Sequence, residues 1–147
     1  MKLLCSILIV LFLLGCASFS QSPEELSANW EKHYEQCVDT ELSSQDKFVT
    51  NQWFDSLSLD DKKSVALYVY QSNFYACHGQ RTEVFQSKLL DLDAEKQYQY
   101  YRGIGVFDLP DKSLIAHVDS TKVKQLVEIQ PKSLNLRNLG HQLGFSQ

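Results

Sequence analysis

Apolar residues recur every three or four positions along most of this chain, and most of these runs follow a residue suited to capping a helix. A chain patterned this way buries stripes of helix and not faces of sheet. Ser22-Pro23-Glu24-Glu25 opens the first run. Ser22 caps the first amides, Pro23 stands where a missing N–H costs nothing, and Glu25 returns the capping bond. Leu26, Trp30, Tyr34 and Cys37 then form one stripe of a helix expected from Pro23 to about Thr40. A second helix is expected after a Ser43-Ser44 cap, with Val49, Trp53 and Leu57 on one face. Ser58 and Asp61 repeat the capping pattern and open a third. That helix carries Leu67, Tyr70, Phe74 and Cys77 on one side and Val65, Val69 and Ala76 on another, which predicts the central helix of a bundle. Gly79 reads as its stop.

A further helix is expected over Arg81–Leu92, and Asp93 is expected to cap another over Ala94–Arg102, broken by Gly103 and Gly105. The short apolar runs Ile104–Phe107 and Leu114–Val118 flank Asp108-Leu109-Pro110-Asp111. They either pair as a hairpin or form an extended loop leading into a helix start. Thr121–Gln130 reads as a helix ending before Pro131, and Leu134, Leu139 and Leu143 mark a short last one. The expected fold is mainly α, a small helical bundle, with a short β-hairpin near 104–118 as the open alternative.

The first residues carry an address. Met1-Lys2 gives a basic start, Leu3–Leu14 an apolar run, and Gly15 a small residue at a cut, as in a secretory signal. As a helix the run spans roughly 18 Å, against about 30 Å of hydrocarbon core. Leu13-Leu14-Gly15-Cys16 resembles the lipobox of bacterial lipoproteins, a resemblance confined to residues 1–16. It implies cleavage before Cys16, a diacylglycerol on that cysteine and usually an amide-linked acyl chain. Two or more chains hold a protein firmly on a membrane. Ala17 and Ser18, neither of them Asp, imply the outer membrane by similarity to Gram-negative sorting, with the domain facing the periplasm. The expected organisation is a signal over 1–15, the lipidated cysteine and tether over 16–22, and one helical domain over 23–147. Six or seven extended residues reach roughly 20 Å, so the domain would hang close to the bilayer.

Without Lys2, the 14 basic and 18 acidic side chains leave a mature net charge of −5. That argues against nucleic acid and against adsorption to anionic lipid. Of four cysteines, Cys5 leaves with the signal and Cys16 takes the lipid. In an oxidising compartment Cys37 and Cys77 then read as one disulfide closing a loop of about 40 residues. Near the ends of both apolar stripes, such a bridge would staple helices one and three at matching ends and implies that they run roughly parallel, with helix two returning between them. The competing reading is zinc held by His33, Cys37, Cys77 and His78, though neither pair has Cys-x-x-Cys spacing.

No catalytic motif stands out, and no cofactor is expected. Gly103-Ile104-Gly105 lacks the third glycine of a dinucleotide site. Asp60-Asp61 and the Asp91/Asp93 pair fall where helices should begin, and capping explains them better than acid–base chemistry. His33, His78, His117 and His141 fit no metalloprotease pattern, and no serine sits in Gly-x-Ser-x-Gly. The most unusual run is Tyr98-Gln99-Tyr100-Tyr101-Arg102. Tyr98, Tyr100, Tyr101 and Arg102 are a candidate protein interface, or Tyr98 and Tyr101 fill the core. The polar segment Asn135–Gln147 is a second contact surface or a frayed end.

These features lead to a non-enzymatic envelope lipoprotein that is anchored through Cys16 and presents its domain to an envelope partner protein. Lipid cysteine, short tether, helices and two domain cysteines together are similar to the helical pilotins of type II secretion systems, an analogy of architecture and not of motif. The alternative is an envelope enzyme or ligand binder acting on cell-wall sugars or small molecules.

Overall fold

The computed structural model describes residues 21–145, so the signal, Cys16 and most of the tether lie outside the described residues. Six α-helices follow in order: α1 Pro23–Ser43, α2 Gln52–Ser56, α3 Leu59–Asp91, α4 Glu95–Gly103, α5 Ser120–Glu128 and α6 Leu136–Gln142. A 3₁₀ turn over Lys112–Ile115 precedes α5. The fold is mainly α, with no strand among the described residues. None of their helices is long and apolar enough to cross a membrane.

The first helix starts where its sequence says. The Glu25 amide donates to Ser22 Oγ at 3.2 Å, and the Ser22 amide donates to Glu25 Oε2 at 3.3 Å. Ser58 caps α3 through the Asp61 amide, and Asp119 caps α5 through the amides of Thr121 and Lys122.

Four expectations change. First, Gly79 does not stop a helix. It sits inside a continuous α3 of 33 residues, roughly 50 Å long. The Tyr75 ring lies against it, and a Cβ at Gly79 would clash with Tyr75 Cε1. The glycine makes room for a ring.

Second, α1 and α3 run antiparallel, not parallel. Trp30 bonds to Thr82, Tyr34 meets His78, Cys37 meets Cys77 and Glu41 lies near Tyr70. Rising numbers in α1 meet falling numbers in α3. The parallel expectation followed from ending α3 at Gly79, which put Cys77 at a helix end when it lies mid-helix.

Third, no helix starts at Ser43-Ser44. Residues 44–50 have no regular structure, and Asn51 caps the five-residue α2 by accepting from the Phe54 amide at 2.9 Å. Phe48 and Phe54 enter the core while Val49 stays exposed. Two glutamine side chains hold this segment as a neighbouring strand would. Gln142 accepts from the Phe48 amide at 2.9 Å and donates to its carbonyl at 2.7 Å. Gln130 does the same for Val49, at 2.9 and 2.8 Å.

Asn135 Nδ2 donates to the Leu42 carbonyl at 2.9 Å and Ser133 Oγ to that of Thr40 at 3.2 Å, satisfying the open end of α1. The polarity of 130–142 therefore serves packing, and this stretch is not a frayed end. Gln142→Ala is expected to cost about 1–3 kcal/mol, because it strips a half-buried amide and carbonyl together. Urea unfolding checks this; an unchanged midpoint would show that the clamp contributes nothing.

Fourth, Asp93 is not a cap. It adopts a left-handed turn (φ 52°) between α3 and α4, and Ala94 takes the cap position with no side-chain bond. Asp91 ends α3, so only Asp60-Asp61 stands at a helix start. Of the two readings for 104–118, the loop holds. The Asp111 amide donates to Gln71 Oε1 at 2.9 Å, tying the segment to α3, and the 3₁₀ turn follows.

The two-sided apolar pattern of α3 now has a physical meaning. Val65, Ala66 and Val69 pack into one core with Phe48, Phe54, Val123 and Leu126. Phe85 and Leu89 pack into another with Leu26, Trp30 and Tyr101. From Val65 to Phe85 is about five and a half turns, so the two buried faces point opposite ways. One long helix serves two cores in succession, α1 and α4 covering its second half on the far side from α5.

Candidate functional site

The Cys37 and Cys77 sulfurs are bonded at 2.06 Å, with Cα atoms 6.0 Å apart. The zinc reading therefore lacks its two thiolates. His33 Nε2 lies 3.2 Å from the Cys77 carbonyl, and His78 Nδ1 lies 3.0 Å from Thr82 Oγ1. No cluster of three metal-ligating side chains occurs among the described residues.

The tyrosine run divides. Tyr101 is buried, edge-on to Phe85 and Trp30, and its hydroxyl donates to Glu31 Oε1 at 2.6 Å. Burial, and then the bond to Glu31, push its pKa up to about 12. Tyr98 is half-buried and stacks on Phe107 with ring centres 5.5 Å apart. Of the two readings, Tyr98 and Tyr101 filling the core is the one that holds, and only Tyr100 and Arg102 of the four face solvent.

A different aromatic group forms a concavity. Tyr70, Phe74 and His78 follow one another at intervals of four on α3, and Tyr34 faces them from α1. Tyr75 adds a wall, and loop residues 104–110 close the far side, leaving about 220 Å³. The rings pack mostly edge to face. Phe74 and His78 centres are 4.8 Å apart, Tyr34 and His78 5.1 Å, and Tyr34 and Phe74 5.5 Å. Gly105 turns the loop with φ +76°, and Asp108 Oδ2 would lie 2.9 Å from a Cβ placed there. Both the backbone angle and the close carboxylate call for glycine.

The pocket's tyrosines and its histidine stay neutral near neutral pH. Burial, followed by the nearby Glu41 charge, raises the Tyr34 pKa. Burial and a hydrogen bond to Glu41 raise that of Tyr70 more strongly. Burial and the bond to Glu83, 2.8 Å from its hydroxyl, raise that of Tyr75. Burial, then the charge of His33, lowers that of His78, so its imidazole stays uncharged. Asp108 is the charged side chain in the lining.

The chain matches no family model, no curated protein and no solved structure. The site has to be read from its own residues.

Sequence reasoning saw Tyr34, Tyr70 and Phe74 as core stripe and missed the pocket. The available signal was Tyr70, Phe74 and His78 at i, i+4 and i+8, more aromatic than a packed seam needs. A larger groove of about 570 Å³ lies between α3 and α5, lined by Tyr68, Ile115, Val123 and Val127 with Lys112 and Lys124. It has few groups that converge.

Proposed function

We propose that this protein is a lipid-anchored interaction module of the bacterial cell envelope, held in the outer membrane through acyl chains on Cys16 and presenting its helical domain to a partner protein in the periplasm. The observation that carries the reading is apolar surface beside the aromatic pocket. Ile104 and Leu109, on the loop that closes it, are 59% and 62% exposed. Apolar side chains around a small concavity are what a protein contact uses. The lipobox-like start supports the anchor, since the α1 cap at Ser22 follows Cys16 by six residues. The pilotin-like architecture belongs to this proposal as analogy. The second reading, a ligand-binding or catalytic lipoprotein acting on cell-wall sugars or small molecules, draws on the 570 Å³ groove, which is of ligand size.

The test is recovery of the tagged, lipidated protein from its native membranes after mild cross-linking, with mass spectrometry. A stoichiometric envelope partner whose recovery is lost on Ile104→Asp/Leu109→Asp supports the module. The protein recovered alone counts against it. Cys16→Ser is expected to release a folded domain from membranes, checked by fractionation and circular dichroism. Retention of an uncleaved form would mean that residues 3–14 act as the anchor.

A further inference from the structure

We infer that the aromatic pocket between α1, α3 and loop 104–110 receives the cationic head of a lysine or arginine side chain presented by a partner protein, with the Asp108 carboxylate facing its charge. The inference rests on the interaction-module reading above and names the chemistry of the contact.

The walls carry the first part of the argument. Tyr34, Tyr70, Phe74 and Tyr75 border one small space, and an aromatic ring draws a cation to its face through its quadrupole. The Tyr75 hydroxyl donates to Glu83 at 2.8 Å. With that hydroxyl committed to a carboxylate, its ring gains electron density.

Charge carries the second part. No lysine or arginine is among the described residues that line the pocket, whereas Asp108 is. His78 is buried and uncharged, so it does not repel a cation. Aromatic walls, a carboxylate and no basic side chain favour a positive guest over an anion or a neutral sugar.

Size and rim decide what kind of cation. About 220 Å³ is below the range of pockets for drug-sized ligands, but has room for one ammonium or guanidinium group. The exposed Ile104 and Leu109 border that space and would be left bare by a free small cation. A protein covers them while its charged side chain fills the centre. The loop is also set in advance, with the Asp111 amide on Gln71 and the Asp108 amide donating to the Gly105 carbonyl at 3.1 Å. A preformed loop spares the ordering cost of binding.

The mature protein in detergent micelles is titrated by NMR with acetyl-Ala-Arg-Ala-amide, its lysine counterpart, and the citrulline peptide, which keeps the arginine shape without the charge. The expected result is movement of the Gly105, Phe74 and His78 signals, with the citrulline peptide at least fivefold weaker. Asp108→Asn should weaken the charged peptides about threefold, leave the citrulline peptide unaffected, and keep the melting temperature. Equal binding of arginine and citrulline peptides, or shifts confined to other surfaces, would overturn the inference. So would choline saturating the pocket while the peptides leave it silent, since the guest would then be a free ammonium compound. If Asp108→Lys, which sets a like charge against the guest, still recovers the envelope partner at full yield, the pocket assignment fails while the module reading stands. Charge-selective peptide binding without any envelope partner would sink the module reading and leave a cation site.

Discussion

Replacing Cys37 or Cys77 with serine is expected to lower the melting temperature by about 15 °C. The bridge joins residues 40 apart, and the chain-entropy account values such a closure at about 4 kcal/mol. For a domain of this size each kcal/mol corresponds to about 4 °C. The bridge also stands mid-way along α3, next to His78, where it keys α1 to the pocket wall. Its loss should therefore broaden the Tyr34 and Phe74 signals before the domain melts. Calorimetry of the oxidised, reduced and Cys37→Ser forms checks the size. The reduced and mutant proteins should agree, and a chelator should change nothing. Unchanged stability on reduction together with a chelator-induced loss would mean that metal, and not a disulfide, joins the helices.

Trp30→Ala is expected to cost about 3–5 kcal/mol, the range for deleting a large buried aromatic side chain. Trp30 is 6% exposed. It stacks on Phe85 with centres 5.0 Å apart and planes at 10°, stacks on Tyr34 at 5.0 Å, and meets Tyr101 edge-on at 5.4 Å. Its Nε1–H donates to Thr82 Oγ1 at 3.0 Å in a buried bond. The core around it is small, with Leu26, Phe85, Leu89, Ala94 and Tyr101 as its other buried members, so no neighbour can spread to fill the gap. Trp30→Phe keeps most of the stacking and loses the hydrogen bond, for an expected cost of about 1–2 kcal/mol. Urea unfolding of both variants separates packing from hydrogen bonding. A loss below about 1 kcal/mol for Trp30→Ala would mean that the second half of α3 is not held by this core.

Much of the fold was legible. The Ser22 and Ser58 caps, the stripe Leu26–Trp30–Cys37 and the pairing of the two cysteines were all readable before any coordinates. The candidate site was legible only in fragments. Tyr34, Tyr70 and Phe74 read as core because periodicity reports which side of a helix is apolar, not whether the opposing element fills the space. The tyrosine run at 98–102 drew attention through its density. The shared helix face of Tyr98 and Tyr101 allowed the core reading, but no spacing rule names their partners, Phe107 for Tyr98 and Trp30 with Phe85 for Tyr101.

By itself the sequence determined the helical class and where α1, α3 and α5 begin. Caps and the 3.6-residue period act between positions three or four apart, so the information is local. The tertiary structure decided the antiparallel run of α1 on α3, the continuity through Gly79, the extended course near Phe48 and the aromatic pocket. These depend on partners far along the chain, as with Trp30 on Thr82, 52 residues away, and Phe48 on Gln142, 94 residues away. A bond of that reach cannot be read from neighbours, because it exists only once the helices have docked.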